Sequence, residues 1–505
     1  MDHVLYGLAA NPALPPEFVD RLIAVADADV AWRLADRPDL GHAQALALFA
    51  RVPECGVQLA YAGRLTAADV DPVARPDVAL ALLDEGAGAP HWARLLAADP
   101  DPAHRGKLAA CPGLPADVVE TLAADPDVCV VAELALWTAS EAIAGLARHP
   151  HADVRRSAAA NEATPPDVLA ALVTGHGLPP VLRCAVCEQE ATPFVHDRNC
   201  ARPGCTLPSG ASCDGSHESA VHDIRWAALR NPATPAEAVA GFADHPSMLL
   251  RQSLAARPGL PASVYRGLAA DPVPGVRADV AGNPAIDDAA TRTLAGDRDP
   301  DVRRGLAHNP RLPLDVLARL ADSVRVGATL LPRIAAAAPD EVPRLASSPS
   351  AAVRMFLARR RDLPPEIRDG LAEDPDAKVV RSVASHPGLG EARLRAMVDR
   401  HGARVLVAVA ANPGAGPALL EHLVRHDPPV PKVFREIAAH PNASPGALLA
   451  CLKDSRARPV AVGRAALPTA VVVELLDDPD PSVAAAAAAN PSLPRAVVEG
   501  LLSGT

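Results

Sequence analysis

Apolar residues recur along the chain in pairs one helical turn apart. Leu250 with Leu254, Val276 with Val280, Val302 with Leu306 and Val353 with Leu357 are each four apart. Residues at that spacing share one face, so each pair predicts a short first helix with a single apolar stripe. Further along come Val118 with Leu122, Val168 with Leu172, Val264 with Leu268, Val316 with Leu320, Ile367 with Leu371, and Val497 with Leu501. These predict a second short helix. Between the two stands a turn, Asn-Pro or a close variant, at Pro12, Pro38, Pro112, Pro232, Pro258, Pro284, Pro310, Pro387, Pro413, Pro441 and Pro491, and from Pro232 to Pro310 every step is 26 residues. Trp137, Glu162 and Arg361 fall on the same register without being proline. A proline three past the anchor, as at Pro235, Pro261 and Pro313, suits the first turn of a helix, where its missing N–H would be unpaired anyway. Asn283, Asn309 and Asn412, just before the anchor, predict caps or turns.

Self-similarity at a fixed period marks a stacked array, here about eighteen copies of about 25–26 residues. Neither helix is long enough to be stable alone, so neighbouring copies must cover both faces. The expected fold is all-α: an α-solenoid, an open superhelix with a long groove and a path on the order of 150 Å. Copies such as Asp301-Val302-Arg303-Arg304-Gly305-Leu306-Ala307-His308-Asn309-Pro310 resemble the leucine-rich repeat variant (LRV) family. That resemblance implies a right-handed superhelix of alternating α and 3₁₀ helices. A weaker likeness to HEAT-like repeats rests on the Asp and the Val-Arg pair.

Arg155, Arg225, Arg251, Arg277, Arg303 and Arg354 lie seven before an anchor position, so a regular stack places them in one file. Either each guanidinium bonds carbonyls or an acidic neighbour such as Asp271 or Asp297, holding register, or the file binds phosphate. The structural role is expected, because a position repeated in every copy serves what every copy needs. His149, His245, His386 and His440 precede prolines and read as turn residues; Arg359-Arg360-Arg361 reads as a solvated helix face.

From Glu162 to Pro232 is 70 residues where the period predicts 26. A segment has been inserted, and the chain divides into repeats at 1–173, a cysteine-rich insertion at 174–221, and repeats at 222–505. Five of the nine cysteines fall in the insertion: Cys184, Cys187, Cys200, Cys205 and Cys213. Two closely spaced pairs can supply four thiolates to one metal. Pro193, Pro203, Pro208, Gly204, Gly210 and Gly215 leave little room for a core, so metal binding would supply much of the folding energy. The candidate ligands are Cys184, Cys187, Cys200 and Cys205, with Cys213 or His217 as a substitute. Zinc and iron–sulfur clusters both accept such donors. The LRV resemblance implies a four-iron (4Fe-4S) cluster. Cys213-Asp214-Gly215-Ser216-His217 is also similar to the end of the motif of two-iron proteins with three cysteines and one histidine. Cys55, Cys111, Cys129 and Cys451 are isolated among aliphatics and read as buried core.

The composition is 49% apolar and 22% charged with only 3% aromatic residues, so the core is built from small aliphatics. A net charge of −11 disfavours nucleic acid and anionic membranes as partners. No apolar stretch is long enough to span a bilayer and no export signal opens the chain, so a cytoplasmic protein is expected. No phosphate-cradling loop, nucleophile elbow or zinc-protease helix occurs, and no enzyme is expected. The expected function is a non-catalytic scaffold for a protein partner, carrying the metal site. The alternatives are an iron–sulfur redox sensor or electron-transfer protein, and nucleic-acid binding through the arginine file.

Overall fold

The computed structural model describes residues 2–503 apart from Arg198, Ala201, Pro203 and Gly204; the Pro203 and Gly204 of the cysteine loop therefore lie outside the described residues. The fold is an all-α solenoid. A representative copy pairs the helices Pro300–Ala307 and Leu314–Ala321, and the only strands among the described residues are Phe194–Val195 and Ser212–Cys213. No helix is long and apolar enough to cross a membrane.

Local sequence explains the helix ends. Several first helices begin behind a capping aspartate: Asp299 accepts from the Asp301 amide and Asp376 from that of Lys378. Second helices begin behind Pro115, Pro261 and Pro313, which stand one residue before the first turn rather than inside it. Leu250, Leu254, Val276, Val280, Val302 and Leu306 are fully buried, as the first-helix stripe requires. The second stripe is buried as expected at Val118 and Val316 but shifted in other copies. Val168, Val264 and Val497 are only half-buried, while Leu169, Tyr265 and Val498, one residue on, are buried. Leu169 with Leu172 and Tyr265 with Leu268 use the three-residue spacing that also shares a helix face.

Two side-chain ladders hold successive copies in register. In the first, a buried asparagine reaches back one copy. Asn283 Nδ2 donates to Ala255 O (2.8 Å) and Arg257 O (2.7 Å), and Asn309 Nδ2 donates to Ala281 O (3.0 Å) and Asn283 O (2.7 Å). Each Oδ1 also accepts from the amide two residues on, which is the turn expected of it, as for Asn309 and Arg311 at 2.9 Å. Arg257 takes the same place in its own copy, donating to Leu229 O, Asn231 O and Thr234 O. His440 does so through Nε2 to Asn412 O (2.8 Å), and its Nδ1 accepts from Asn442. His149 and His245 accept from the amide two residues on, as turn residues should, whereas His386 Nδ1 faces the Pro387 carbonyl.

Arg251, Arg277 and Arg354 of the arginine file form the second ladder, joined by Arg105 seven before Pro112, while Arg303 bonds only the Asp297 and Arg298 carbonyls among the described residues. Arg105, Arg251, Arg277 and Arg354 each pair through two nitrogens with an aspartate twenty residues on: Asp125, Asp271, Asp297 and Asp374. Nη1 of each also donates to the carbonyl six residues back. Arg359-Arg360-Arg361 is not a solvated face. Arg360 donates to Ile334 O and Ala337 O and pairs with Asp362, while Arg359 lies over the Phe356 ring. Cys55, Cys111 and Cys451 are buried as expected, but Cys129 is exposed.

These pairs carry an acid dependence. Bonding to Arg105 and to Arg277 holds the Asp125 and Asp297 carboxyls below the ordinary carboxylate range. A carboxyl lowered on folding stabilises the fold above its unfolded pKa of about 4 and loses that contribution as pH falls through the lower folded value. Helicity by circular dichroism should therefore stay flat from neutrality down to about pH 5 and fall below about pH 4. Asp297→Asn should flatten part of that acid limb.

Contacts divide the described chain into two units, Thr66–Leu312 and a second made of Met1–Leu65 with Pro313–Thr505. The second unit joins residues from both ends of the sequence. Its helix Asp2–Ala9 packs on the helix Pro481–Ala488, so closely that a Cβ at Gly7 would collide with the Ala485 carbonyl. Asn11 Nδ2 donates to Ala488 O (3.1 Å) and Asn490 O (2.9 Å), and Arg495 pairs with Glu17 at 2.8 Å. The first copy thus uses the last as its predecessor, through the same asparagine contact that joins interior copies.

Candidate metal centre in the cysteine-rich insertion

The stack runs on as though the insertion were absent. Asn231 Nδ2 donates to Ala159 O (3.1 Å) and Asn161 O (2.8 Å), the usual contact made across 70 and 72 residues. The inserted chain leaves after the helix Pro166–Thr174, where Gly175 takes the left-handed conformation at φ 76° that glycine adopts without strain. It first lies back along the array. Leu182 N and Arg183 N donate to Pro150 O, and Ala152 N donates to Arg183 O. Arg155 would seek an aspartate at position 175. It finds glycine, and donates instead to Pro179 O (2.8 Å) and Pro180 O (3.2 Å) of the insertion. Buried His151 faces Glu188 across 3.3 Å, anchoring the short helix Ala185–Gln189.

Cys184 and Cys187 bracket the start of that helix. The Cys184 amide donates to Cys187 Sγ at 3.2 Å, and the two sulfurs stand 3.7 Å apart. Cys213 arrives from the antiparallel ribbon, where it pairs with Phe194. His217 follows a tight turn. Asp214 Oδ1 accepts from Ser216 N, Gly215 has φ 94°, and Gly215 N donates to Cys213 Sγ at 3.4 Å. At φ 60°, His217 is the one non-glycine residue with positive φ among those described. Strain of that kind persists where the surroundings over-determine it, and here it aims Nδ1 to 3.5 Å from Cys213 Sγ. The donor atoms of Cys184, Cys187, Cys213 and His217 all lie within 4.8 Å of one another. Burial pushes the Cys184 thiol up to about 12, so a bare site keeps its proton at neutrality and a cation must displace it.

His196, Cys200 and Cys205 form a separate group, also within 4.8 Å. The four cysteines expected to share one site are therefore divided: Cys184 and Cys187 join Cys213 and His217, while Cys200 and Cys205 join His196. The ribbon is the cause, because pairing Phe194 with Cys213 carries the turn to His217 against the first pair and leaves the second pair to His196. His196 was missed by attending to cysteines alone; the spacing His-x₃-Cys-x₄-Cys was there to be read. A four-sulfur site for a four-iron cluster does not fit this division.

Donor separations indicate what size of group fits the quartet. Zn–S of about 2.3 Å and Zn–N of about 2.0–2.1 Å imply tetrahedral edges of about 3.8 Å between sulfurs and about 3.6 Å between sulfur and nitrogen. The observed 3.7 Å and 3.5 Å match a single ion. Two ligands on one iron of a two-iron cluster stand equally close, but ligands on different irons spread wider, so the 4.8 Å limit on every pair is what favours one ion.

No protein-family profile matches the chain, and no curated protein does. Among solved structures, the chain is 12% identical to a chain of a homology model of the full-length AP-3 complex in an intermediate open conformation, covering 96% of this chain and 86% of that one at a TM-score of 0.19. It is 14% identical to an engineered protein, covering 96% and 93% at a TM-score of 0.11. At such TM-scores neither carries an argument about fold or function.

Proposed function

We propose that the protein is a non-catalytic repeat scaffold that holds a protein partner against exposed faces of its first helices, with the insertion clamped by a metal ion. One contrast carries the reading. Residues repeated in every copy face a neighbouring copy, whereas the position six before the anchor changes from copy to copy: Trp226, Gln252, Ala278 and Arg304 in succession. A stack of like units presenting unlike side chains on one face is how such arrays recognise partners. Trp226, Met248 and Leu249 are 37%, 49% and 49% exposed, and Arg230 lies over the Trp226 ring at 4.7 Å. Exposed aromatic and aliphatic groups beside an arginine have the composition of a binding hot spot. A double variant, Trp226→Ala with Leu249→Ser, is expected to weaken partner crosslinking in cells more than about tenfold, with thermal unfolding unchanged. An unaltered crosslinking profile would overturn this reading.

For the quartet Cys184, Cys187, Cys213 and His217, the short separations support one zinc-class ion that acts as a structural clip. The alternative iron–sulfur redox centre is favoured by the mixed three-sulfur, one-nitrogen donor set. Nine free thiols fit a reducing compartment such as the cytoplasm.

A further inference from the structure

We propose that His196, Cys200 and Cys205 constitute a second metal site, independent of the quartet, which holds a zinc-class divalent cation and leaves one coordination position for an incoming anionic or thiolate ligand. The group is built as a metal site is built. His196 Nδ1–H donates to Pro208 O at 2.8 Å, which fixes the tautomer and turns the Nε2 lone pair to Cys205 Sγ at 3.3 Å. A histidine ligand whose other nitrogen is held by a carbonyl is the usual outer arrangement of such sites. The backbone holds each donor in place. His196 N donates to Ala211 O (2.7 Å), extending the ribbon by one pair, Cys200 N donates to Asp197 O, and Cys205 N to Arg202 O. The ring of His196 is buried and stacks at 6.3 Å on that of Phe194, on the same face of the ribbon.

The ribbon also keeps the two groups apart. Phe194 pairs with Cys213 and His196 with Ala211, so Cys213 and His196 share a face two residues apart along the strands, about 7 Å at about 3.3 Å per residue. The donor atoms accordingly fall into two groups with no member in common. Between His196 and Cys205 the sequence contains no further histidine, and its only other cysteine is Cys200. Three protein donors on a tetrahedral cation leave the fourth place open, as in zinc sites that exchange ligands. Cys205 is exposed, so the open side is reachable from solvent.

The test is cobalt(II) titration of the metal-free, reduced full-length chain, followed by absorption in the visible and near-ultraviolet. Two equivalents are expected, each with intense tetrahedral bands. Cys205→Ser and His196→Ala should each lose one equivalent and keep the three-thiolate spectrum of the quartet. Cys184→Ser should lose the other and keep the weaker two-thiolate charge-transfer band. Circular dichroism controls for folding. Added cyanide should shift the bands of the Cys184→Ser protein and leave those of the Cys205→Ser protein unmoved. A single equivalent in the unaltered chain, a Cys200–Cys205 disulfide that persists under reducing conditions, or two equivalents retained by Cys205→Ser would overturn the site. Bands of the Cys184→Ser protein indifferent to cyanide would overturn the open position. None of these outcomes depends on whether the array binds a protein partner.

Discussion

Replacing Asn309 by leucine is expected to destabilise the Thr66–Leu312 unit by about 2–5 kcal/mol, because it strands two buried carbonyls that each cost about 1–3 kcal/mol when unpaired. Those carbonyls are Ala281 O and Asn283 O, and the amide of Arg311 loses its acceptor as well. Asn309 is 2% exposed, so water has no easy route to replace it. For a unit of this size the loss corresponds to a drop in melting temperature of roughly 5–15 °C. Calorimetry measures it, and hydrogen exchange should place the loosening in the two copies that Asn309 joins. Asn442→Ala is the control. Its Nδ2 also donates to carbonyls one copy back, Pro413 O and Ala415 O, but from an exposed residue that water can replace, and a change below about 1 kcal/mol is expected. Equal losses at the two sites would show that the buried ladder is not what holds the copies in register.

Serine at Cys213 is expected to lower affinity for the quartet's ion by more than about a hundredfold, since a lost ligand costs more than the ten- to hundredfold of a lost outer contact. The insertion has little core of its own, so protease should then cut it between residues 190 and 212. Helicity should be preserved, because Asn231 closes the stack on Ala159 and Asn161 without help from the insertion. Purification of the unaltered chain settles the nature of the ion. A colourless protein holding zinc after anaerobic purification is expected. A brown protein containing iron and sulfide would establish the redox centre instead.

The array itself was readable from the sequence because its period is written in residues that have only one use. Val280 and Leu306 must be buried, and the proline that stands at most anchors forces a turn. The inward role of the arginines followed from their repetition, and Asp271 and Asp297 were already visible as partners. The asparagines were half understood. Their turn-forming Oδ1 is a local property, but the reach of Nδ2 to a carbonyl 26 or 28 residues back exists only once copies are stacked. Arg360 was misjudged for the same reason, since a charged residue in a run looks solvated until a neighbouring copy supplies carbonyls for it. In the insertion, composition indicated metal binding, but pairing of ligands depends on strand register. Two ladder pairs, Phe194 with Cys213 and Val195 with Ser212, bring Cys213 and His217 to the first cysteine pair and leave Cys200 and Cys205 to His196, and nothing local to Cys200 or Cys213 announces that register.

A row of stacked units ordinarily frays from its two ends, where the outermost member leans on one companion instead of two. Here Gly7 lies against Ala485 and Asn11 grips Ala488 and Asn490, so the helices Asp2–Ala9 and Pro481–Ala488 each have company on both sides. Unzipping has no loose tab at that seam. Heat or denaturant has to break the bonds of Asn11 to Ala488 and Asn490 before either of these two helices is released.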